Sequence, residues 1–149
     1  MQSHSDKVTA AANRIIQNLL LNTNVESFGI LHQMPFIEFR NEHGSDMHLT
    51  FDSKVLFSPT YQGEVSDEDR MLIGMNSLNL KKVTKAQCND AADLEIYFEG
   101  GAWLKISGSS KDRYEPWQLS NDIPVAEGGS SVIALDGGGY AIWEGQQQE

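Results

Sequence analysis

The sequence predicts an α+β fold dominated by antiparallel β-structure. Three observations lead there. The 149 residues are 40% hydrophobic and their apolar runs are patterned, which is enough for one packed domain. Two segments have helical apolar spacing, while the rest alternates with period two. A gapless echo also recurs at an offset of 47 residues: Met47, Leu49, Phe51, Val55 and Phe57 return as Leu94, Ile96, Phe98, Ala102 and Leu104.

The first helix is expected from Ser5 to about Asn22. Val8, Ala12, Ile15 and Leu19 fall on one face, widened by Ile16 and Leu20. Ser5 can cap its start, and Asn22–Thr23–Asn24 ends it. Strands follow at Phe28–His32 and Phe36–Arg40, with Pro35 at the entrance of the second, where a missing N–H is tolerated. Met47–Phe51 and Val55–Phe57 read as a hairpin across Asp52–Ser53–Lys54, pairing Phe51 with Val55 and Leu49 with Phe57. A two-residue loop would set Phe51 against Lys54 and mix apolar with charged partners.

A short helix joins this unit to its echo. Ser66 and Asp69 form an approximate capping box, and Asp67, Glu68 and Asp69 suit the positive end of the helix dipole. Met71, Leu72, Met75 and Leu78 make its buried face. Gly74 weakens it by about 1 kcal/mol relative to alanine. The second hairpin turns at Glu99–Gly100–Gly101, pairing Phe98 with Ala102, Ile96 with Leu104 and Leu94 with Ile106, with Gly101 supplying a positive φ. The echo extends weakly backwards, Phe36–Phe39 aligning with Val83–Ala86.

Beyond Ile106 the reading is a turn at Gly108–Ser109–Ser110, the segment Tyr114–Leu119, and a polar loop with Pro124, Gly128 and Gly129. A last hairpin joins Val132–Leu135 to Tyr140–Trp143 across Asp136–Gly137–Gly138–Gly139. The polar tail Gly145–Glu149 is expected to fray. The organisation is thus a single domain, residues 1–149, with two pseudo-repeat hairpin units around 36–57 and 83–106. A curved sheet and an open barrel-like arrangement both fit.

Charge bounds the partners. There are 21 Asp and Glu against 11 Lys and Arg, a net charge of −10. Residues 1–62 carry 4 basic and 6 acidic side chains, whereas residues 63–149 carry 7 and 15. An acidic surface repels phosphate backbones and attracts basic ones, so a basic protein is the expected partner and nucleic acid is not. No apolar run approaches the roughly 20 residues that span a bilayer, so no membrane partner is expected. The N-terminus shows no signal-peptide pattern. Cys88 is the only cysteine, which excludes a disulfide framework and points to a reducing, cytoplasmic setting.

No motif assigns chemistry. His4, His32, His43 and His48 lack metal-ligand spacing, and His43 with His48 and Asp46 reads as an exposed loop group rather than a metal site. Cys88 has Lys85 nearby, but Asp90 and Asp93 oppose the lowered pKa a nucleophile needs. Glu95 and Glu99 flank Tyr97 on what reads as a solvated sheet face. The glycine runs neither open a helix nor end in Lys-Ser/Thr, so they are turns rather than phosphate loops. No catalytic residue, metal set or cofactor is assigned. The most distinctive cluster is Tyr114, Glu115, Pro116 and Trp117. Its plainer reading is that Tyr114 and Trp117 pin the segment to the sheet; its sharper one is that Trp103, Tyr114 and Trp117 form an exposed aromatic anchor.

The stretches LEIYFEGGAWLKIS, RYEPWQL and SSVIALDGGGYAIW resemble a family of small uncharacterised bacterial proteins. The family pattern is a Leu-x-apolar-x-Phe hairpin, a Tyr-Glu-x-Trp element and a closing Gly-Gly strand ending in Trp. It covers roughly residues 83–143, and the closing turn begins Asp136–Gly137 where the pattern has Pro–Gly. By analogy, the resemblance implies an immunity-like protein that neutralises a toxin. The expected function is therefore a non-enzymatic protein-binding module occluding a basic toxin, most simply a nuclease. Its expected contact residues are Glu64, Asp67, Glu68, Asp69, Asp90, Glu95, Glu99, Trp103, Tyr114 and Trp117. The alternatives are a small enzyme or ligand binder with a pocket between sheet and helix, and a structural homo-oligomer.

Overall fold

Apolar side chains at helical spacing and at period two must each find a common interior, and among the described residues the chain does this with two α-helices and ten strands. A computed structural model describes residues 4–110 and 114–145. In order these elements are α1 (His4–Leu20), β1 (Asn24–Leu31), β2 (Met34–Arg40), β3 (Asp46–Phe51), β4 (Ser53–Ser58), α2 (Asp67–Leu78), β5 (Val83–Cys88), β6 (Leu94–Phe98), β7 (Trp103–Ser110), β8 (Trp117–Asn121), β9 (Ser131–Ala134) and β10 (Tyr140–Trp143). All strand pairs are antiparallel. One sheet has the order β1-β2-β3-β8-β9-β10 and the other β4-β7-β6-β5. The α+β class, mainly antiparallel β, is what the sequence predicts.

The helices form where their stripes require. Ala12, Ile15, Ile16, Leu19 and Leu20 of α1 are buried. The helix stops at Asn22, which takes a positive φ of 66°, while the Thr23 hydroxyl donates to the Leu20 carbonyl (2.7 Å). The proposed cap at Ser5 falls on a side chain outside the described part. In α2, Ser66 is the N-cap and its hydroxyl accepts from the Asp69 N–H (3.1 Å), as the spacing predicts. Gly74 has a packing reason the sequence did not reveal: a Cβ there would overlap the Phe57 ring, so the glycine lets α2 lie against β4. Gly74→Ala should therefore lower stability by about 1–3 kcal/mol despite its better helix propensity, through overpacking. Phe57→Leu in the same chain should recover part of that loss. Urea denaturation showing Gly74→Ala to be stabilising would contradict this packing.

The first hairpin is corrected. β3 and β4 do not pair with each other. The chain runs straight on through Asp52 and passes from one sheet to the other. Phe51 lies opposite Trp117 and Leu49 opposite Leu119 and Ile37, whereas Val55 lies opposite Ile106 and Phe57 opposite Leu104. The Asp52 N–H donates to the Pro116 carbonyl (2.9 Å), and the Ser53 hydroxyl to the Ser107 carbonyl (2.8 Å), which pins the corner. The apolar partners sought in Val55 and Phe57 come instead from β8. Alternation says that a strand has a buried face, and not which strand lies beside it.

The second hairpin has the expected register. Leu94 faces Ile106 and Ile96 faces Leu104, and the Phe98 N–H donates to the Ala102 carbonyl (2.9 Å). Gly100 and Gly101 take φ values of 82° and 89°, so the turn needs both glycines. The last hairpin joins the expected segments one residue out of the expected register: Tyr140 pairs with Ala134 through Trp143 with Ser131, and Leu135 belongs to the turn, its N–H donating to the Gly139 carbonyl (3.0 Å). The predicted turn at Gly108–Ser110 is corrected: β7 continues to Ser110, which pairs with Ser53. Gly108 is in the strand because the backbone of Ala91 and Ala92 comes too close for any side chain.

The sheets meet twice. At one side they share the β3–β4 chain. At the other, Asn24 bridges Lys82, the Val25 N–H donates to the Lys81 carbonyl (3.2 Å), and the Val83 N–H to that of Thr23 (2.8 Å). The strands β1, β2, β3–β4, β7, β6 and β5 thereby close a barrel-like ring, one of the two arrangements the sequence allowed. β8, β9 and β10 extend from β3 as a flange, and α1 packs between that flange and β5. The buried apolar residues of both sheets and both helices form one continuous cluster.

Candidate partner-binding surface

The aromatic cluster separates into two environments. Trp117 is 0% exposed and Tyr114 is 66% exposed. The Trp117 ring sits in the core beside Tyr140, ring centres 5.8 Å apart, and its indole N–H donates to the Ala92 carbonyl (2.7 Å). Trp117 is thus a core residue, and the expectation that it helps form an exposed anchor is corrected. The cause is the β3 pairing, which turns Trp117 inward opposite Phe51.

Trp103 lies elsewhere, on the outer face of the four-stranded sheet. It stands opposite Tyr97, and Lys85 stands opposite Tyr97 on the far side. The Lys105 ammonium lies 4.6 Å from the Trp103 ring centre and that of Lys85 lies 5.4 Å from the Tyr97 ring centre. Glu95 is in the neighbouring row, between Gln87 and Lys105. Its carboxylate accepts from Gln87 (2.7 Å) and the Tyr97 hydroxyl (3.1 Å) and faces the Lys105 ammonium at 3.8 Å. The Gln87 bond above all, with Tyr97 and Lys105 adding to it, holds this carboxyl below the ordinary range. The face therefore carries a carboxylate already matched by its neighbours, rather than the free acidic surface that Glu95 suggests in the sequence.

The other predicted acidic residues divide by what they already hold. Glu99 sits in the β6–β7 turn, where its carboxylate accepts from the Lys82 N–H (3.2 Å) and its own N–H donates to the Lys82 carbonyl (2.9 Å). Asp90 accepts from the Thr9 hydroxyl of α1 (2.6 Å). Glu64, Asp67, Glu68 and Asp69 are different. All four are exposed at the start of α2, and none is in an ion pair among the described residues. The adjacent cation, Arg70, donates to the Tyr61 and Gly63 carbonyls.

Cys88 ends β5 and is buried, not placed in a polar turn. Desolvation pushes its thiol up to about 11, offset only in part by the Tyr140 hydroxyl. Burial likewise raises the Tyr140 phenol, whose hydroxyl donates to the Asn89 carbonyl (2.5 Å). A thiol with a raised pKa stabilises the fold fully below its unfolded value near 9 and loses that contribution as pH climbs through about 11. Native protein at pH 8 should leave Cys88 unmodified by an aromatic disulfide reagent, with stoichiometric reaction after denaturation. Stability should fall between pH 9 and pH 11, less steeply in Cys88→Ala. Rapid labelling of native protein would contradict the burial.

His43, His48 and Asp46 are not brought together: Asp46 is gripped by Arg40 through two bonds (2.8 and 3.3 Å), and His48 faces Glu38. Among the described residues no group of three His, Cys, Asp or Glu side chains is placed to hold a metal. No described helix is long and apolar enough to cross a membrane.

Three hollows stand out among the described residues. One of about 330 Å³ lies between α1 and the loops after β2 and β8. Two of its three asparagines serve the turns: Asn41 accepts from the His43 and Ser45 N–H groups, and Asn121 from that of Ser130. A second, of about 560 Å³, is an apolar recess around Leu31, Met34 and Phe36 on the outer face of β1 and β2. The third, about 330 Å³, lies between β4 and α2. A pocket between sheet and helix is among the alternatives the sequence offers, but its place was not legible, because this hollow exists only once β4 leaves β3. The one signal available was Gly74, whose missing side chain sets the distance between helix and strand.

Comparison with family models, curated proteins and solved structures finds no match for this chain. The resemblance drawn above rests on the quoted motifs alone.

Proposed function

We propose that this chain is a non-enzymatic protein-binding module that captures a basic partner, most concretely an immunity protein occluding the nucleic-acid groove of a toxin nuclease. One observation carries the reading. The net charge of −10 is not neutralised internally, and the exposed run Glu64, Asp67, Glu68 and Asp69 has no cation paired with it among the described residues. Lys and Arg side chains form ion pairs with only Glu144, Asp46 and Glu95 there. Unpaired carboxylates keep their charge available to a cationic surface. They can take the places that phosphates would occupy in a nuclease groove, and their long-range field speeds encounter.

The test compares wild type with a variant in which Glu64, Asp67, Glu68 and Asp69 are all lysine. Each is immobilised and exposed to a lysate of the native host at low and at high salt. The expected result is a basic protein held by wild type alone, released by salt, and inactive as a nuclease while bound. A partner retained equally by both forms and insensitive to salt would overturn the proposal.

A further inference from the structure

The last turn of α1 leaves backbone acceptors open. The Asn22 N–H, which would continue the helix onto Asn18, donates instead to the Val83 carbonyl (3.1 Å), and the Thr23 N–H donates to the Leu20 carbonyl (3.1 Å) rather than to that of Leu19. Among the described residues nothing donates to the Asn18 and Leu19 carbonyls, and this turn holds no basic side chain. The C-terminal end of a helix is the negative pole of its dipole, where a cation is favoured.

A hollow opens at this pole. Asn18, Leu19, Leu21 and Thr23 line the first recess of about 330 Å³. Its floor is closed and apolar, with Ile15, Leu19 and Met47 all buried. The lining holds two carboxylates and no Lys, Arg or His. Glu144 is held by Arg14 (2.9 Å), whereas Asp122 is exposed and in no ion pair among the described residues. The charges on the adjoining β2–β3 turn are matched locally, Arg40 by Asp46, with His43 facing Glu42. Lys81 and Lys82, beside Val25 and Asn24, are not part of the lining.

The remaining polar groups call for an acceptor. Asn41 and Asn121 spend their side-chain oxygens on turn N–H groups, so each has its amide Nδ2 left to donate. A simple alkylamine would leave these donors unused, and an anionic ligand would meet Asp122. A hydroxyl suits both sides of the recess, because it accepts as well as donates. Apolar surface with a few fixed polar groups is the usual make-up of a small-molecule site.

We propose that this hollow binds a small hydroxylated amine, of the amino alcohol or amino sugar class. Its ammonium lies at Asp122 and the open end of α1, its hydroxyls at Asn41 and Asn121, and its C–H face on Ile15, Leu19 and Met47. The site is separate from the acidic start of α2 and does not depend on the reading of the partner as basic.

The probes are glucosamine, glucose and butylamine, each titrated into the full chain at mildly acidic pH, which keeps the amines charged. Amide NMR follows the binding. Glucosamine is expected to shift Leu19–Thr23, Asn41–Ser45 and Asn121–Ile123, and to bind about tenfold or more tightly than either of the others. Asp122→Asn should weaken glucosamine about tenfold and leave glucose unchanged. Asn18→Lys, which sets a cation in the lining, should abolish glucosamine binding. Both positions are exposed, so both variants fold. Glucose binding as tightly as glucosamine removes the role of the charge, and butylamine doing so removes the role of the hydroxyls; either overturns the proposal. So do shifts confined to another part of the chain, no binding of glucosamine, or binding unchanged in both variants.

Discussion

Trp117→Ala is expected to cost about 3–5 kcal/mol. The side chain is wholly buried, lies opposite Phe51 on β3 and packs on Tyr140, so its removal leaves a cavity in the core beside them. It also leaves the Ala92 carbonyl without its indole donor. Trp117→Phe separates the two contributions. It keeps much of the ring volume and forfeits the hydrogen bond, for an expected loss of about 1–3 kcal/mol. Urea denaturation of the three proteins measures both steps. An alanine variant within about 1 kcal/mol of wild type would contradict the burial, since that is the size of an ordinary surface substitution.

Gly108→Ala is expected to cost about 3 kcal/mol or more, for a different reason. A Cβ at this position would overlap the backbone of Ala91 and Ala92, which no rotamer change can relieve. Moving β7 away would stretch two bonds: the Gly108 N–H to the Asp93 carboxylate (2.8 Å) and the Gly137 N–H to the Gly108 carbonyl (2.8 Å). The useful control is Gly100→Ala. There a Cβ meets open space and the penalty comes from a φ of 82° alone, about 1–2 kcal/mol. Gly108 has no positive φ of its own, so a loss no larger than that of Gly100→Ala in thermal denaturation would contradict the close approach.

Local features were legible from the letters. The helical stripes, the Ser66 cap and the register of the Leu94–Ile106 hairpin depend on residues near one another in sequence, so period and turn chemistry suffice. The hairpin proposed at Asp52–Lys54 shows where this ends. Its pattern matches that of Leu94–Leu104, yet the second copy has Gly100 and Gly101 in left-handed conformations and the first has no glycine. Without residues suited to a tight turn, the chain stays extended and carries its alternation into a second sheet. For the candidate surface, exposed carboxylates were countable in advance, but their availability was not. Glu95 and Glu99 look as free as Glu68 in the sequence. Only strand pairing sets Glu95 between Gln87 and Lys105, and only the meeting of the β6–β7 turn with Lys82 engages Glu99. Trp117 carried two readings for the same reason, decided when β8 was found beside β3.

The passage of one continuous strand through Asp52 also dictates an order of events during folding. The β1–β2, β6–β7 and β9–β10 pairs close over short loops and can form early. β3 and β4 cannot complete their pairing so cheaply: Met47 must find Asn121, and Val55 must find Ile106. Such distant partners make topology, not stability, the brake on the rate. As the chain leaves the ribosome, β3 can pair with β2 at once, but its other edge stays open until Trp117–Asn121 has been made. During that interval Leu49 and Phe51 lack their final cover, and this is when the nascent protein is most exposed to wrong pairings and to the chaperones that prevent them.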